Sequence, residues 1–453
     1  MKVQKITLEQ MLSARERRAE IQIRMLGRED GTCLVCLTLN IAGDIKRTPM
    51  TGMLFQRGIE EFDSLGFDVI DSRVISEPTG DEAFWLLREN AQQVKQQLEA
   101  VEESFPAARL FDFDVLVRDT AAYEEVPLCI RKLSRKAGRK CLICGRPAAD
   151  CSRSRRHGLD AVRTQTGRLL TEFCAETLAR YACDALLDEL YTTPKPGLVD
   201  LANCGAHTDM DVPLFEKSAE SLKLYFHDAV MMGMGGCSME DLRKRGLKAE
   251  EEMFRATGGV NTHKGMIYSM GLLLAGAGMA LRTDGPCGTC EEEPPAEMAV
   301  RYAAGLARQD AERRIGESLA DPKTNGGKAL KAYGARGAMG EAAEGFPDAL
   351  YCASRLHQYM EEGVEKRKAG ALAFCDSMAR LEDTNLLHRG GREGLDFARS
   401  EACRIAGAGG CDERIAGLEK LDAEMIRRNL SPGGSADMLA LAFFLESLSD
   451  PHL

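Results

Sequence analysis

The sequence lacks a long apolar stretch, an excess of positive charge and any aromatic residue in its most basic segment, 131–168. Its longest apolar run, 265–281, spans about 17 residues and contains four glycines, which suits a buried helix better than a membrane span. Residues 1–26 mix basic and acidic side chains, unlike the apolar core of a signal peptide. The formal net charge of −11 argues against a protein that coats nucleic acid. We therefore expect a cytoplasmic protein that binds no membrane and no nucleic acid.

The composition is otherwise that of an ordinary globular protein, with 44% hydrophobic and 28% charged residues. A length of 453 residues predicts two or three domains, since domains average roughly 150 residues. The sequence contains 16 cysteines and no export signal, which indicates a reducing compartment. Thiols in such a compartment serve as core residues, metal ligands or nucleophiles.

Positive charge is concentrated in 131–168, where twelve basic residues accompany only Asp150 and Asp160. A segment of this kind is usually a solvated face or tail. It can also bind a polyanion, because clustered arginine side chains match the geometry of phosphate oxygens. The absence of aromatic residues argues against stacking on single-stranded bases.

Periodicity predicts an α+β first part. Thr7 and Gln10 form a capping box that begins a helix extending to about Leu26. Alternating and β-branched runs predict strands, and longer amphipathic runs predict helices. The predicted strands are 32–41, 67–75 and 110–117, and the predicted helices are 49–65 and 81–101.

The second part is predicted to be helical. From about residue 169 onward, apolar residues recur at helical spacing, notably in 297–314, 369–381 and 436–448. We therefore predict two domains, an α+β domain at 1–168 and a predominantly α-helical, all-α domain at 169–453. A flexible loop is expected at 286–295 because of its turn-forming residues.

Two carboxylates occupy alternate positions in the predicted strand 110–117. Because successive side chains of a strand point to opposite faces, Asp112 and Asp114 should share one face and Phe111 and Phe113 the other. A divalent cation that carries a polyphosphate would relieve the repulsion between the two carboxylates. The alternative is the polar face of an edge strand.

The first part of the chain also contains the spacing Cys141-x2-Cys144-x6-Cys151-x5-His157. Thiolates and an imidazole are the usual ligands of structural Zn²⁺. The spacing is not a common zinc-finger pattern, and unliganded cysteines are frequent core residues, so both interpretations remain open.

These features together resemble the apo-citrate lyase phosphoribosyl-dephospho-CoA transferase family over roughly residues 7–165. The matching segments are LTLNIAGDIK at 37–46, ARLFDFDV at 108–115 and RKCLIC at 139–144, followed by Cys151 and His157. The resemblance implies a nucleotidyltransferase-like domain. It would join a serine of the apo acyl carrier subunit of citrate lyase to a phosphoribosyl-dephospho-CoA group and release pyrophosphate. It also favours Asp112 and Asp114 as ligands of a divalent metal.

The second part contains loops in which glycine or proline accompanies charged residues. Pro194 and Pro196 prevent helix continuation and place Lys195 and Asp200 on a stiff loop. His207, Asp209 and Asp211 follow closely, although the two acids could simply cap the next helix.

Four further loops continue this pattern. His263 and Lys264 begin the glycine-rich apolar helix, where backbone N–H groups can bind an anion, although the spacing is not that of a Walker A loop. A second loop, YGARG at 333–337, is followed by Glu341 and Glu344. The candidate residues of the last two loops are Asp383, Asn385, Arg389, Ser435 and Asp437. Helix capping alone could explain Ser435 and Asp437.

These loops resemble the triphosphoribosyl-dephospho-CoA synthase family over about 172–448. The matching segments are TPKPGLVD at 193–200, TGGVNTHKG at 257–265, DTN at 383–385 with RGG at 389–391, and SPGGSAD at 431–437. The resemblance implies that ATP and 3′-dephospho-CoA form 2′-(5″-triphosphoribosyl)-3′-dephospho-CoA and adenine. The chain would then be a fusion in which one part makes the substrate of the other.

That chemistry requires carboxylates near a developing oxocarbenium ion and groups that move protons. We assign Asp209, Asp211 and Asp383 to the Mg²⁺–triphosphate or the sugar cation, and His207 or His263 to proton transfer. We expect the remaining polar residues, Lys195, Asp200, Lys264, Asn385, Arg389, Ser435 and Asp437, to bind the nucleotides. Three alternatives remain: the same chemistry for a malonate decarboxylase carrier, a metal-dependent phosphohydrolase, and a zinc-bearing adaptor without catalysis.

Overall fold

The computed structural model describes residues 4–28, 30–119, 129–135, 138–282, 293–322 and 324–449, except the side chain of Asn325. The chain forms two compact units, an N-terminal unit, Met1–Cys174, and a C-terminal unit, Ala175–Pro451. The division between the units lies within one helix, Leu159–Tyr191, which also contains the predicted boundary 168/169. Most of the loop predicted at 286–295 lies outside the described residues.

The N-terminal unit contains a five-stranded antiparallel sheet with helices around it. The strands are β1 (Cys33–Leu39), β2 (Val69–Glu77), β3 (Gly80–Leu87), β4 (Phe111–Arg118) and β5 (Ile130–Lys132). Their order in the sheet is β2-β3-β1-β4-β5. The α-helices are α1 (Leu8–Leu26), α2 (Pro49–Ser64), α3 (Ala91–Val101), α4 (Ala148–Arg153) and α5 (Leu159–Tyr191).

The capping box predicted at the first helix is present. The Thr7 side chain accepts from the backbone of Gln10, whose side chain accepts from the backbone of Thr7. A second capping box, formed by Thr48 and Thr51, begins α2. Both boxes satisfy N–H groups that a helix start leaves without intrahelical partners, which explains why these helix starts can be read from the sequence.

The helix predicted at 81–101 is wrong in its first part. Residues 80–87 form β3, and the helix begins only at Ala91, after the cap Asn90. Phe84 packs on one face of the sheet with α1, whereas Trp85 stacks against Phe62 of α2 on the other face. Because both faces are covered, residues 83–87 of β3 form a continuous apolar run without alternation, and periodicity cannot distinguish such a run from a buried helix.

The C-terminal unit is helical, and none of its described residues belongs to a strand. After α5, its helices are α6 (Val212–Gly235), α7 (Met239–Ala256), α8 (Lys264–Ala280), α9 (Pro295–Ala320), α10 (Asn325–Tyr333), α11 (Gly337–Glu344), α12 (Pro347–Glu361), α13 (Lys366–Met378), α14 (Thr384–Ala406), α15 (Cys411–Arg427) and α16 (Gly433–Leu448). The predicted helices 297–314, 369–381 and 436–448 correspond to α9, α13 and α16.

The glycine-rich helix α8 packs closely against two neighbouring helices. A Cβ atom at Gly276 would lie 2.1 Å from the carbonyl oxygen of Ala299 in α9, and one at Gly278 would lie 2.2 Å from that of Val230 in α6. The glycines therefore permit contact between helix backbones. Within the described residues, no helix is both long and apolar enough to cross a membrane.

Candidate functional site

The C-terminal unit encloses a cavity of about 1420 Å³. Its walls include the starts of α8, α14 and α16 and the loop that precedes α6. Eight of the residues selected from the sequence line this cavity: His207, Asp209, His263, Lys264, Asp383, Asn385, Arg389 and Asp437.

Four other selected residues are absent from the cavity lining and make contacts within the protein. Lys195 is 1% exposed and its ammonium group pairs with Glu189. The Asp200 carboxylate accepts from the backbone N–H groups of residues 195, 202 and 203 and so shapes its own loop. Asp211 caps α6 by accepting from the backbone of Leu214 at 3.0 Å, as the capping alternative anticipates. Ser435 is buried and donates to a carboxylate oxygen of Asp383.

His207 belongs to a hydrogen-bonded group at the cavity wall. Arg389 Nη2 lies 3.2 Å from His207 Nδ1, and His207 Nε2 lies 2.9 Å from Ser431 Oγ. Because a guanidinium can only donate, Nδ1 must accept and Nε2 must carry the proton. Burial and the positive charge of Arg389 lower the pKa of His207, so the imidazole is neutral near pH 7.

The guanidinium of Arg389 has no carboxylate partner within 4.0 Å among the described residues. Its Nη1 atom donates to the carbonyl oxygen of Ala206 at 3.0 Å and to Asn429 Oδ1 at 2.9 Å. Burial lowers the pKa of Arg389. A cation held by neutral acceptors at a cavity wall is suited to bind an anion such as a phosphate.

Asp383 joins two helix starts. Oδ1 accepts from the backbone N–H groups of Asn385 and Leu386, and Oδ2 accepts from the backbone N–H and the hydroxyl of Ser435. A Cβ at Gly434 would lie 3.0 Å from Asp383 Oδ2, which explains the glycine at this position. Burial raises the pKa of Asp383, although the four hydrogen bonds oppose this effect. Asp383 therefore holds the cavity wall together.

The Asp437 carboxylate lies close to the start of α8. A Cβ at Gly265 would lie 2.5 Å from Asp437 Oδ2, so glycine is needed for this approach. Burial raises the pKa of Asp437 well above its usual range, and the nearby carboxylates of Glu189 and Asp383 raise it further. Within the described part of the chain, we find no hydrogen bond or ion pair to this carboxylate. Burial and the two neighbouring carboxylates therefore favour the protonated form of Asp437.

His263 precedes α8 and is buried. Its Nδ1 atom lies 2.7 Å from Ser218 Oγ, and its ring packs edge-on against Phe215. Burial, together with the positive charge of Lys195, lowers the pKa of His263 to about 3. This histidine stays neutral at physiological pH and is poorly suited to accept protons there.

We expect His263 to make the protein less stable in acid. Its pKa is about 6.5 in an unfolded chain and about 3 in the folded protein. Between these values only the unfolded chain binds the proton, so the free energy of unfolding should fall as pH decreases, by at most about 1.4 kcal/mol per pH unit. His263→Gln should reduce this slope. Urea unfolding followed by circular dichroism at pH 7, 6, 5 and 4 would measure it.

His357→Gln is the matched control for that measurement. Hydrogen bonding to Glu446 raises the pKa of His357, so its stabilising contribution is present at acidic pH and is lost as pH rises. This substitution should not reduce the acid slope. Equal slopes for the His263→Gln variant and the unaltered protein would contradict the assignment.

Several cavity residues were not selected from the sequence. Glu189 is buried six residues before its partner Lys195, at the end of a helix with no local signal of function. Glu250 lines the cavity and pairs with Lys264, and Ser431 contacts His207. Of these three, only Ser431 lies in a segment whose composition could have indicated it.

Glu341, which follows the loop 333–337 noted in the sequence, also lines the cavity. Burial raises the pKa of Glu341 to about 7, although two backbone N–H groups of α12 donate to its carboxylate and oppose this effect.

In the N-terminal unit, Asp112 and Asp114 share one face of β4, as alternation predicts, while Phe111 and Phe113 are fully buried on the other. Arg139 Nη2 donates to Asp112 Oδ1 at 2.8 Å, and Lys132 pairs with Asp114. Burial and the neighbouring Asp112 raise the pKa of Asp114. The pair is therefore a concentrated negative charge that two basic side chains now balance.

The Cys/His cluster is assembled in the same unit. Ligand atoms of Cys141, Cys144, Cys151 and His157 all lie within 4.8 Å of one another. Burial alone would raise the pKa of Cys141, but backbone N–H groups of Cys144 and Ile143 point at its sulfur, and its pKa is lowered overall.

The two units match two different protein families. Residues 6–173 match the model of CitX, the apo-citrate lyase phosphoribosyl-dephospho-CoA transferase, and residues 175–452 match that of CitG, the ATP:dephospho-CoA triphosphoribosyl transferase. The chain is 33% identical to protein CitXG of Haemophilus influenzae over 98% of its own length and 96% of that protein. The chain is a fusion of these two transferase families. Both resemblances noted in the sequence are therefore confirmed.

Other relatives agree with this assignment. Protein CitXG of Leuconostoc mesenteroides is 28% identical over 98% of both chains. The 2-(5''-triphosphoribosyl)-3'-dephosphocoenzyme-A synthase of Klebsiella pneumoniae is 37% identical over 62% of this chain and 93% of its own length. The fusion is thus a transferase whose CitG part contains the cavity and whose CitX part contains the paired aspartates and the Cys/His cluster.

Proposed function

We propose that the chain makes and attaches the prosthetic group of citrate lyase. In the C-terminal unit, ATP and 3′-dephospho-CoA would form 2′-(5″-triphosphoribosyl)-3′-dephospho-CoA and adenine. The N-terminal unit would transfer the phosphoribosyl-dephospho-CoA group to a serine of the apo acyl carrier subunit and release pyrophosphate. The observation that carries the proposal is the cavity in which Arg389, Lys264, His207 and Asp437 meet.

The cations of this cavity would bind the phosphates of the substrates. Among the described residues, the acceptors around Arg389 are all neutral, and Lys264 at the start of α8 pairs with Glu250. Backbone N–H groups at the same helix start add to the positive potential. This arrangement favours a polyphosphate.

Two side chains are suited to move protons. The 2′-hydroxyl of dephospho-CoA would attack C1′ of the ATP ribose, forming a C–O bond while the bond to adenine breaks. Neutral His207 would take the hydroxyl proton at Nδ1, which would give up its hydrogen bond from Arg389. Asp437, whose raised pKa favours the protonated form, would donate a proton to adenine. His263 fits this role poorly, since its pKa is about 3.

Mg²⁺ would accompany the triphosphate of ATP. Of the three acids assigned to it from the sequence, Asp383 uses both oxygens for hydrogen bonds and Asp211 caps α6. Asp209 lines the cavity and is exposed. Its Oδ1 atom lies 4.0 Å from Nδ1 of His207. We therefore keep Asp209 as the candidate ligand.

In the N-terminal unit, Asp112 and Asp114 would hold a divalent cation against the phosphates of the transferred group. Arg139 and Lys132 each pair with one oxygen of these acids, so the ion would bind the other carboxylate oxygens. The carrier's serine hydroxyl would attack the α-phosphate of the triphosphate, and pyrophosphate would leave. The basic segment 131–168 would attract the phosphates and an acidic carrier.

The test is to incubate the protein with ATP, Mg²⁺ and 3′-dephospho-CoA and to separate the products by chromatography. We expect free adenine, and a mass increase of the apo carrier by one phosphoribosyl-dephospho-CoA group when it is added. Phosphate release without adenine would indicate a phosphohydrolase, and carrier binding without turnover would indicate an adaptor. Modification of a malonate decarboxylase carrier alone would change the partner.

A further inference from the structure

We infer that Cys141, Cys144, Cys151 and His157 bind one structural Zn²⁺ ion, and that this ion holds Arg139 in place beside Asp112. The metal site is independent of the reaction, whereas its effect on transfer rests on the proposed function.

The distances fit a single tetrahedral ion. Cys144 Sγ lies 3.5 Å from Cys151 Sγ and 3.3 Å from His157 Nε2. Zn–S bonds of roughly 2.3 Å in a tetrahedron place two sulfur ligands roughly 3.8 Å apart. Three thiolates and an imidazole favour zinc over magnesium or calcium, and four protein ligands leave no open position for catalysis.

The segment that carries the ligands has almost no core of its own. Between residues 138 and 158, Cys141 and Cys151 are the only buried residues. The chain nevertheless makes a tight turn in which the N–H of Cys141 donates to the carbonyl oxygen of Arg146 at 2.6 Å. All four cluster residues lie on this turn, on α4 or just after α4. Small segments that bury little apolar surface usually need a metal or a disulfide, and these cysteines are free.

The turn is connected directly to the paired aspartates. Arg109, just before β4, donates to the carbonyl oxygens of Lys140 and Cys141 at 3.0 and 3.2 Å. Arg139, two residues before the first ligand, donates to Asp112 at 2.8 Å and to buried Glu102 at 2.6 Å. Fixing the turn therefore fixes the guanidinium of Arg139, a positioning residue, next to a carboxylate proposed to hold the catalytic cation.

The metal is tested on the full-length protein, produced with zinc in the medium and purified under reducing conditions. We expect one zinc per chain by elemental analysis. We also expect a visible absorption band of tetrahedral thiolate coordination after exchange with cobalt. Cys144→Ser should lose both signals, whereas Cys403→Ser, which alters an exposed cysteine of the C-terminal unit, should keep them. The cobalt spectrum is measured on the unaltered protein, so this test does not depend on the folding of a variant. Absence of metal, or a disulfide between Cys144 and Cys151, would overturn the site.

The positioning role is tested by separating the two reactions. Cys144→Ser should reduce transfer to the apo carrier at least tenfold and leave adenine release within twofold. Arg139→Gln should reduce transfer similarly while keeping one zinc. Normal transfer by a zinc-free protein would overturn the positioning role. If the unaltered protein binds zinc but transfers nothing, the proposed function fails while the metal site stands.

Discussion

Replacing Arg389 with glutamine should lower kcat/KM for adenine release about 100-fold, the typical cost of removing a charged donor that stabilises a transition state. Arg389 lies at the cavity wall without a carboxylate within 4.0 Å among the described residues, so its charge is free to meet a substrate phosphate. Glutamine cannot supply a cation or the forked geometry of a guanidinium. Lysine restores the charge alone, so Arg389→Lys should retain an intermediate activity. Steady-state rates of adenine formation would measure both variants.

Arg392→Gln is the matched control. Arg392 belongs to the same helix, α14, but pairs with Glu382 at 3.0 Å and is not part of the cavity lining. Exposed ion pairs contribute at most about 1 kcal/mol, so this variant should fold normally and keep its activity within twofold. A folded Arg389→Gln variant with undiminished kcat/KM would remove Arg389 from the site.

The second large effect is expected for Asp437→Asn. An amide has nearly the same shape as a carboxylic acid but cannot give up a proton, so kcat for adenine release should fall 100-fold or more, roughly the contribution of a general acid. Stability should be unchanged or slightly higher, because the substitution removes a buried acid whose neighbours Glu189 and Asp383 oppose its ionisation. Steady-state kinetics would measure the loss of kcat, and urea unfolding would measure whether stability is retained.

Asp211→Asn is the matched control, because it makes the same substitution at a carboxylate that caps a helix of the C-terminal unit. Asparagine caps helices about as well as aspartate, so α6 should remain intact and adenine release nearly normal. If Asp437→Asn retained full activity, or Asp211→Asn lost it, the assignment of the proton donor would be wrong. The two variants therefore distinguish a carboxylate that acts in the cavity from one that only caps a helix.

Local rules predicted local structure well. The capping box at Thr7, the strands around 33–39 and 111–118 and the glycine-rich buried helix each have a sequence pattern among neighbouring residues. The error at 81–87 arises because the two faces of β3 are covered by helices distant in the chain. No local pattern encodes that double burial.

The same limit applies to the cavity. Lys195 and Lys264 both lie in loops rich in glycine or proline, yet one is buried against Glu189 and the other reaches the cavity. Asp383 and Asp437 both lie at helix starts, but only Asp383 has its oxygens saturated by backbone and hydroxyl donors. Sequence spacing places such residues on loops and cannot tell which way the side chains point.

The sequence by itself determined the two-family fusion, the helical character of the second part and the residue types available for chemistry, since motifs and periodicity are properties of the chain alone. Tertiary structure decided which of these residues line the cavity and which stabilise its walls through contacts within the protein. Polar groups inside the protein bond to whichever partner the packing brings within hydrogen-bonding distance, and that partner often lies far away in sequence, as Ser431 does from His207.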